Sequence, residues 1–157
     1  MIILSGKPDQ IEKIKLAYKN NSICKKFNFI ELSFTAASLA KYAINSFLAS
    51  KVIFFNQLKE IYDSVEEKGN WDSFIETIST DKRIGLSHLN VPGHDGRKGF
   101  GGACFPKDTY ALMHYAKHLG KDFEMLEKVF EINNSYRSMY DELDDREKEQ
   151  DVFFNSN

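Results

Sequence analysis

One long segment with helical periodicity, residues 35–68, restricts the fold more than any other feature of this sequence. Apolar side chains recur there every three or four residues, which is the spacing of a helix. Its middle, FLASKVIFF, is apolar on nearly every side, as expected of a helix buried among others or lying at a dimer interface. About thirty residues make a helix about 45 Å long. The segment predicts a helical bundle or a dimer spine, with Gly69 ending the helix.

A strand, a helix and a second strand are predicted before this long helix. MIILSG is a short apolar run, Pro8 suits the first turn of a helix, and FNFIEL alternates as a strand does. One such unit is too little for an independent α/β domain, because a parallel sheet needs several units covered on both faces. We therefore predict a mainly α chain with three parts: a strand–helix–strand piece at 1–33, a helical domain at 34–140 and a polar tail at 141–157.

Shorter helices and one long loop are predicted after the long helix. A helix covers residues 71–78, another covers 106–120, and a further one starts at Asp122. Residues 80–103 are rich in glycine and have no periodicity, and loops of this length in a compact domain are usually functional or disordered. The acidic run DELDDREKEQD predicts a frayed helix end or a disordered tail.

Composition excludes several classes of protein. A formal net charge of -2 gives no electrostatic signature of a nucleic-acid binder. No run is long and apolar enough to cross a bilayer, and the N-terminal sequence lacks the features of a signal peptide. Two cysteines do not make a disulfide framework, which predicts reduced thiols and a cytoplasmic location.

Cys104 lies in the sequence GFGGACFPKD, at the predicted start of a helix. Unpaired amides and the positive end of the helix dipole stabilise a thiolate at such a position. Gly101 and Gly102 let the backbone approach a substrate, and Lys107 adds positive charge nearby. Asp108, one turn along the helix, is spaced to orient or deprotonate a water molecule. The pattern alone leaves two interpretations open: a nucleophile, or a small buried residue.

Three further polar positions have a functional and a structural interpretation. Lys41 and Asn45 share one helix face, and an ammonium beside an amide can hold an oxyanion, but the residues alone favour a surface lysine and an asparagine bonded to a neighbouring loop. Arg83 suits sugar hydroxyls and phosphates, or it is a helix-end cation beside Asp81. Lys51 lies deeper in the apolar segment, where a carboxylate partner is expected.

Two other motifs do not support a site. His114 and His118 have the spacing of a metal-chelating pair, but no third ligand is evident, so no metal is predicted. The GFGG sequence has the wrong glycine spacing for a dinucleotide fingerprint and follows no convincing strand.

Three stretches, in this order, together resemble the central domain of the UDP-glucose/GDP-mannose dehydrogenase family: AKYAINSFLASKVIFFNQ, DKRIG and GFGGACFPKDTYAL. The N-terminal stretch MIILSGKPDQIEKIKLAY resembles the last strand and helix of that family's NAD-binding domain. The similarity covers roughly residues 1–135, and the cysteine motif is its most specific part. It implies a helical dimerisation domain preceded by a small β-α-β remnant of a Rossmann domain.

The family oxidises the C6 alcohol of a sugar nucleotide to a carboxylate in two NAD-dependent steps. The resemblance implies that Cys104 attacks the aldehyde to give a thiohemiacetal, which is then oxidised to a thioester. It also implies that Lys41 and Asn45 stabilise the oxyanion and hold the attacking water. Asp108 is then expected to assist the lysine and that water during hydrolysis.

The resemblance also implies how a substrate such as UDP-glucose, or a related sugar nucleotide, is bound. The loop from about residue 89 to residue 102 is expected to wrap the ligand with backbone groups. The implied substrate contacts in and after the loop are Phe100, Gly101, Gly102 and Lys107. Arg83 is expected to reach a sugar in the neighbouring subunit, because the long helix at 35–68 is the dimer spine of the family.

The sequence also departs from the family pattern. Most of the NAD-binding domain, its glycine fingerprint and the C-terminal nucleotide-binding domain have no counterpart here, and Ser38 and Gln57 stand where the family usually has Glu. Two hypotheses follow. The chain is part of a UDP-glucose 6-dehydrogenase-like enzyme whose NAD domain lies on another polypeptide or has been lost from this chain. Alternatively, it is a truncated, inactive helical module that dimerises, or binds a dehydrogenase partner or a sugar nucleotide.

Overall fold

Helices dominate the computed structural model, which describes residues 1–24, 26–143, 145–149, 152 and 154. A small two-stranded parallel sheet accompanies them, so the predicted mainly α class is confirmed. The elements of the described residues follow in the order β1 (Ile2–Leu4), α1 (Pro8–Asn21), β2 (Phe29–Glu31), α2 (Phe34–Asp63), α3 (Trp71–Ser79), α4 (Cys104–His118), α5 (Glu124–Arg137) and α6 (Asp145–Glu149).

Contacts divide the chain into two compact units, residues 1–43 and 44–157. The boundaries predicted from the sequence, after residues 33 and 140, stay predictions. In the first unit β1 and β2 pair in parallel, with Ile3 opposite Ile30. The intervening helix α1 starts at Pro8, as its fixed φ favours, and buries Ile11. No helix among the described residues is long and apolar enough to span a membrane.

The long helix α2 ends at Asp63, so the predicted end at Gly69 is wrong. Val65 keeps the helical spacing, but contacts at the start of α3 end the long helix before it. The side chain of Asn70 caps α3 by accepting a hydrogen bond from the Asp72 amide at 2.8 Å. The ring of Tyr62 also packs edge-on against Trp71 at 5.2 Å between centroids, which requires a turn before α3.

The core of the second unit joins α2, α5 and the loop before α4. Ala49 and Ile53 of α2 pack with Tyr136 of α5 and with Phe100, all of them buried. Because Phe100 belongs to the glycine-rich loop, the loop is held by the core and not only by its own turns.

Tyr136 makes the stability of this core sensitive to alkaline pH. Burial, followed by its hydrogen bond to Glu60, raises the pKa of Tyr136 to about 12. In the unfolded chain the tyrosine loses this proton at about pH 10. The unfolding free energy is therefore expected to fall as the pH rises from about 10 to 12. Between about pH 9 and about pH 11, wild type should lose about 1 kcal/mol more than Tyr136→Phe in urea denaturation. Tyr110 is exposed, so the control Tyr110→Phe should lose as much unfolding free energy as wild type. If Tyr136→Phe also loses as much as wild type, the pH dependence does not come from Tyr136.

Candidate functional site

Cys104 is the first residue of α4 and is exposed. The helix thus begins two residues earlier than predicted. Gly102 precedes it with φ 70°, a left-handed conformation that favours glycine. The exposure of Cys104 excludes the interpretation that it is a small buried residue. Its role as a nucleophile stays a prediction.

Asn45 and Asp108 are joined by a hydrogen bond between α2 and the first turn of α4. Asn45 Nδ2 donates to Asp108 Oδ2 at 2.6 Å, and Lys107 Nζ lies 2.6 Å from Asp108 Oδ1. The carboxylate of Asp108 has no exposed surface, whereas Lys107 is largely exposed. A buried carboxylate needs such donors, because an uncompensated charge inside a protein is costly. Asp108 is therefore placed to orient an amide and an ammonium one helical turn from Cys104.

The other two cationic candidates are also exposed. Lys41 lies four residues before Asn45 on α2, in the first unit, with its ammonium 5.8 Å from the ring centre of Tyr42. Arg83 Nη2 lies 2.5 Å from Asp81 Oδ2, and this pairing raises the pKa of Arg83 and lowers that of Asp81. Arg83 is therefore paired with Asp81, as the structural interpretation expected. The roles of Lys41 and Arg83 toward a substrate stay predictions.

Two buried asparagines hold the loop that leads to Cys104. The Gly99 amide donates to Asn56 Oδ1 at 3.1 Å, and the Phe100 amide donates to Asn133 Oδ1 at 2.6 Å. A Cβ on Gly99 would lie 2.6 Å from Asn133 Oδ1, so a larger residue does not fit without a shift. Phe100 is buried as a whole residue, so it anchors the loop in the core. Sequence reasoning missed both asparagines, although an amide on an apolar helix face is a signal that could have indicated them.

A buried charged cluster lies against the other side of this loop. Arg137 Nη1 lies 2.6 Å from Asp95 Oδ2, and Arg137 Nη2 lies 2.5 Å from Glu147 Oε1. The Gly102 amide donates to the same Glu147 oxygen at 3.4 Å. A Cβ on Gly101 would collide with both Arg137 and Glu147. Neither of these two residues was predicted, and nothing in the acidic sequence around Glu147 distinguishes it from its neighbours.

Lys51 holds the first part of the loop, but not in the way the sequence suggested. Its Nζ donates to the carbonyls of Ile84 at 2.7 Å and Ser87 at 2.5 Å, where a carboxylate partner was expected. Burial lowers the pKa of Lys51. His88, which follows Ser87 in the loop, has φ 62°. Burial, together with the charges of Lys51 and His94, lowers the pKa of His88. Carbonyl groups thus replace the expected counter-charge.

A cleft of about 850 Å³ lies between the loop 86–102, Phe105 and α6. This volume is typical of small-molecule and cofactor sites. Of the predicted substrate contacts, Phe100, Gly101 and Gly102 line the cleft, whereas Lys107 and Arg83 are not among the described residues that line it. Cys104 lies in sequence between the lining residues Gly102 and Phe105, but neither it nor Asn45 nor Asp108 is among the described residues that line the cleft. No three potential ligands among His, Cys, Asp and Glu come together to hold a metal ion in the described ranges.

The matching sequence family is described as "UDP-glucose/GDP-mannose dehydrogenase family, central domain", and the match covers residues 35–135. Two similar proteins come from Bacillus subtilis strain 168: UDP-glucose 6-dehydrogenase YwqF, 38% identical over 104 residues, and UDP-glucose 6-dehydrogenase TuaD, 37% identical over 108 residues. These alignments cover 66% and 69% of this chain. In each case they span 22% of the relative.

A solved structure is also similar. It is a UDP-glucose dehydrogenase from the hyperthermophilic archaeon Pyrobaculum islandicum, with 26% sequence identity and a TM-score of 0.66. The similarity covers 85% of this chain and 28% of that one. The present chain therefore corresponds to a minor part of the length of its relatives.

Proposed function

Because the chain belongs to the UDP-glucose/GDP-mannose dehydrogenase family, we propose that it supplies the cysteine-bearing part of a site that oxidises a sugar nucleotide at C6. The observation that carries the proposal is the hydrogen bond from Asn45 to Asp108. It joins the long helix to the first turn of α4, so two motifs far apart in sequence meet beside an exposed thiol at Cys104. An exposed nucleophile with a fixed amide nearby suits attack on a carbonyl carbon.

In the proposed chemistry, the Cys104 thiolate forms a bond from Sγ to the C6 carbon of the aldehyde. The carbonyl electron pair moves to the oxygen, which takes up a proton, and the product is a thiohemiacetal. At the thioester level, water adds to the same carbon, the C–S bond breaks, and the thiolate leaves as the carboxylate forms. Asn45 and Lys41 would stabilise the negative oxygen in both additions. Asp108 would act as a positioning residue for Asn45, since it is buried among donors.

Both oxidations need a hydride acceptor, and NAD is the one that the family implies. The described residues of the first unit do not fit this cofactor. Only Gly6 follows β1, its φ of 159° is extended, and a Cβ there would meet nothing closer than 3.7 Å. Dinucleotide sites need several glycines where the backbone closely approaches the pyrophosphate. We therefore propose that NAD is held by a separate NAD-binding domain, such as one on another polypeptide.

The cleft beside the loop is the proposed place of the substrate, UDP-glucose or a related sugar nucleotide. Phe100, Gly101 and Gly102 line it, and the two glycines add no side chains that would narrow it. Lys107 and Arg83 remain proposed contacts, and Arg83 would act in the neighbouring subunit. We propose the cytoplasm as the location.

The test is reconstitution. The chain is mixed with a separately produced NAD-binding domain of a UDP-glucose dehydrogenase, NAD and UDP-glucose, and NADH and the carboxylate product are followed. We expect NADH and carboxylate to form only when both polypeptides are present. No turnover with any of several such domains would contradict the proposal.

A non-catalytic module is the second candidate, and the poor fit of the first unit to NAD favours it. Hydride transfer requires an acceptor held at the reacting carbon. Such a module would still dimerise or bind a sugar nucleotide or a dehydrogenase partner. Binding of UDP-glucose without product in any reconstituted mixture would support this candidate over the first.

We propose that the chain forms a homodimer through α2. Phe47, Phe54 and Ile61 are 69%, 61% and 65% exposed, and their spacing of seven residues places them on one stripe. Large exposed apolar patches typically mark interaction surfaces. The continuity of this stripe along half of a long helix fits a second copy packed against the same helix.

Phe54→Lys should therefore convert a dimer into a monomer in analytical ultracentrifugation, because a buried unpaired charge opposes association. Met125→Lys is the matched control, since Met125 is 60% exposed and belongs to a different helix, α5, and this variant should stay dimeric. A wild-type chain that is monomeric at all concentrations, or a Phe54→Lys variant that is still dimeric, would contradict the proposed interface.

A further inference from the structure

We propose that α6 is part of the ligand site and that Arg146 binds the phosphate-bearing part of the ligand in the cleft. The proposal rests on the proposed function, in which the cleft takes a sugar nucleotide. It assigns a binding role to an acidic segment whose composition does not suggest one. Glu147 of α6 is buried against the loop, and its neighbours Asp145 and Arg146 line the cleft.

Glu147 fixes the position of α6. Its carboxylate has no exposed surface and meets the buried guanidinium of Arg137 at 2.5 Å, while Arg97 Nη1 lies 3.7 Å from its second oxygen. Its first oxygen also accepts the hydrogen bond from the Gly102 amide. Separating a buried pair leaves an uncompensated charge, so α6 is strongly held against the glycine-rich loop. Residues 145 and 146 therefore have a defined place at the cleft.

Arg146 is the cation that α6 presents to the cleft. It lines the cleft, it is exposed, and it makes no hydrogen bond or ion pair within the part of the chain that the structure describes. Arg137, by contrast, is engaged by Asp95 and Glu147. A guanidinium presents paired donors that match the geometry of a phosphate. Arg146 is thus the arginine in this region that is available to a ligand.

The other charged groups of the cleft fit the same ligand class. His88 and His94 add basic side chains to the lining, and the lining carboxylate of Asp95 is paired with the buried guanidinium of Arg137. Asp145 lines the cleft as well, and a carboxylate there would repel a phosphate but accept hydrogen bonds from sugar hydroxyls. Arg146 and Asp145 together therefore suit a ligand that carries both phosphate and hydroxyl groups, as a sugar nucleotide does.

The experiment measures binding of UDP-glucose and of UDP to the full chain by calorimetry, without any cofactor or partner. Arg146→Gln is compared with Lys148→Gln, which removes the same charge from an exposed position on the same helix. We expect Arg146→Gln to weaken the binding of both probes at least about tenfold and to reduce its dependence on salt. Lys148→Gln should bind as wild type, and Arg146→Lys should recover part of the loss.

A second variant tests the role of Glu147. Glu147→Ala should weaken binding by a similar factor although Arg146 is present, because α6 is no longer held at the cleft; thermal unfolding verifies that the variant is folded under the assay conditions. If the wild-type chain binds the probes and Arg146→Gln binds them equally tightly, this inference is overturned, whereas the proposed function is not affected. A wild-type chain that binds neither probe would overturn both the inference and the proposed substrate.

Discussion

Replacing Cys104 by alanine is expected to reduce carboxylate formation in the reconstituted reaction by about a thousandfold or more. The sulfur is the proposed site of covalent attachment, and the Asn45 amide and the start of α4 cannot substitute for it. Product is measured as the carboxylate and not only as NADH, because oxidation of the alcohol to the aldehyde does not require the thiol.

Cys24→Ala is the matched control for this variant. Cys24 is also an exposed, free cysteine, but it lies in the first unit, after α1. Its loss should leave carboxylate formation unchanged. A Cys104→Ala variant that forms carboxylate at the wild-type rate would remove Cys104 from the mechanism.

Replacing Arg137 by methionine is expected to lower the unfolding free energy by about 3 kcal/mol in urea denaturation. The substitution keeps much of the aliphatic volume but leaves the buried carboxylate of Glu147 without its closest cation and removes the partner of Asp95. Because Glu147 also accepts from the Gly102 amide, hydrogen exchange at the loop should become faster than in wild type.

Lys128→Met is the matched control on the same helix. Lys128 pairs with Glu131, but both side chains are exposed, so this substitution should cost less than about 1 kcal/mol. A double variant, Arg137→Met with Glu147→Gln, should be less destabilised than the two single changes summed, because it no longer contains the unpaired charge. An Arg137→Met variant as stable as wild type would mean that this cluster does not hold the loop.

The regular elements were predictable because their signals are local. Helical spacing along α2 and the apolar runs at β1 and β2 are properties of neighbouring residues, and the structure has these elements. The end of α2 was not predictable in this way. Val65 continues the apolar spacing, but the helix ends at Asp63. Asn70 caps α3, and Tyr62 packs against Trp71 of α3, so the chain must turn between the two helices.

The site was predictable only in part. Sequence reasoning placed Cys104 at a helix start and selected Asn45 and Asp108, but the hydrogen bond between the last two joins positions 63 residues apart, which no local pattern encodes. The burial of Glu147 was not predictable from an acidic segment, because it depends on Arg137, ten residues earlier and enclosed by other parts of the fold. Charges that a fold buries in pairs look like solvated charges in the sequence.

The most direct test of the central claim is whether the 6-aldehyde of UDP-glucose protects Cys104 from alkylation. The full chain is treated with iodoacetamide with and without the aldehyde, and the cysteine peptides are compared by mass spectrometry. We predict that Cys104 is protected while Cys24 is alkylated as before, and that UDP-glucose itself, which has no carbonyl at C6, protects less. Equal alkylation of Cys104 with and without the aldehyde would contradict a carbonyl-binding thiol at the start of α4.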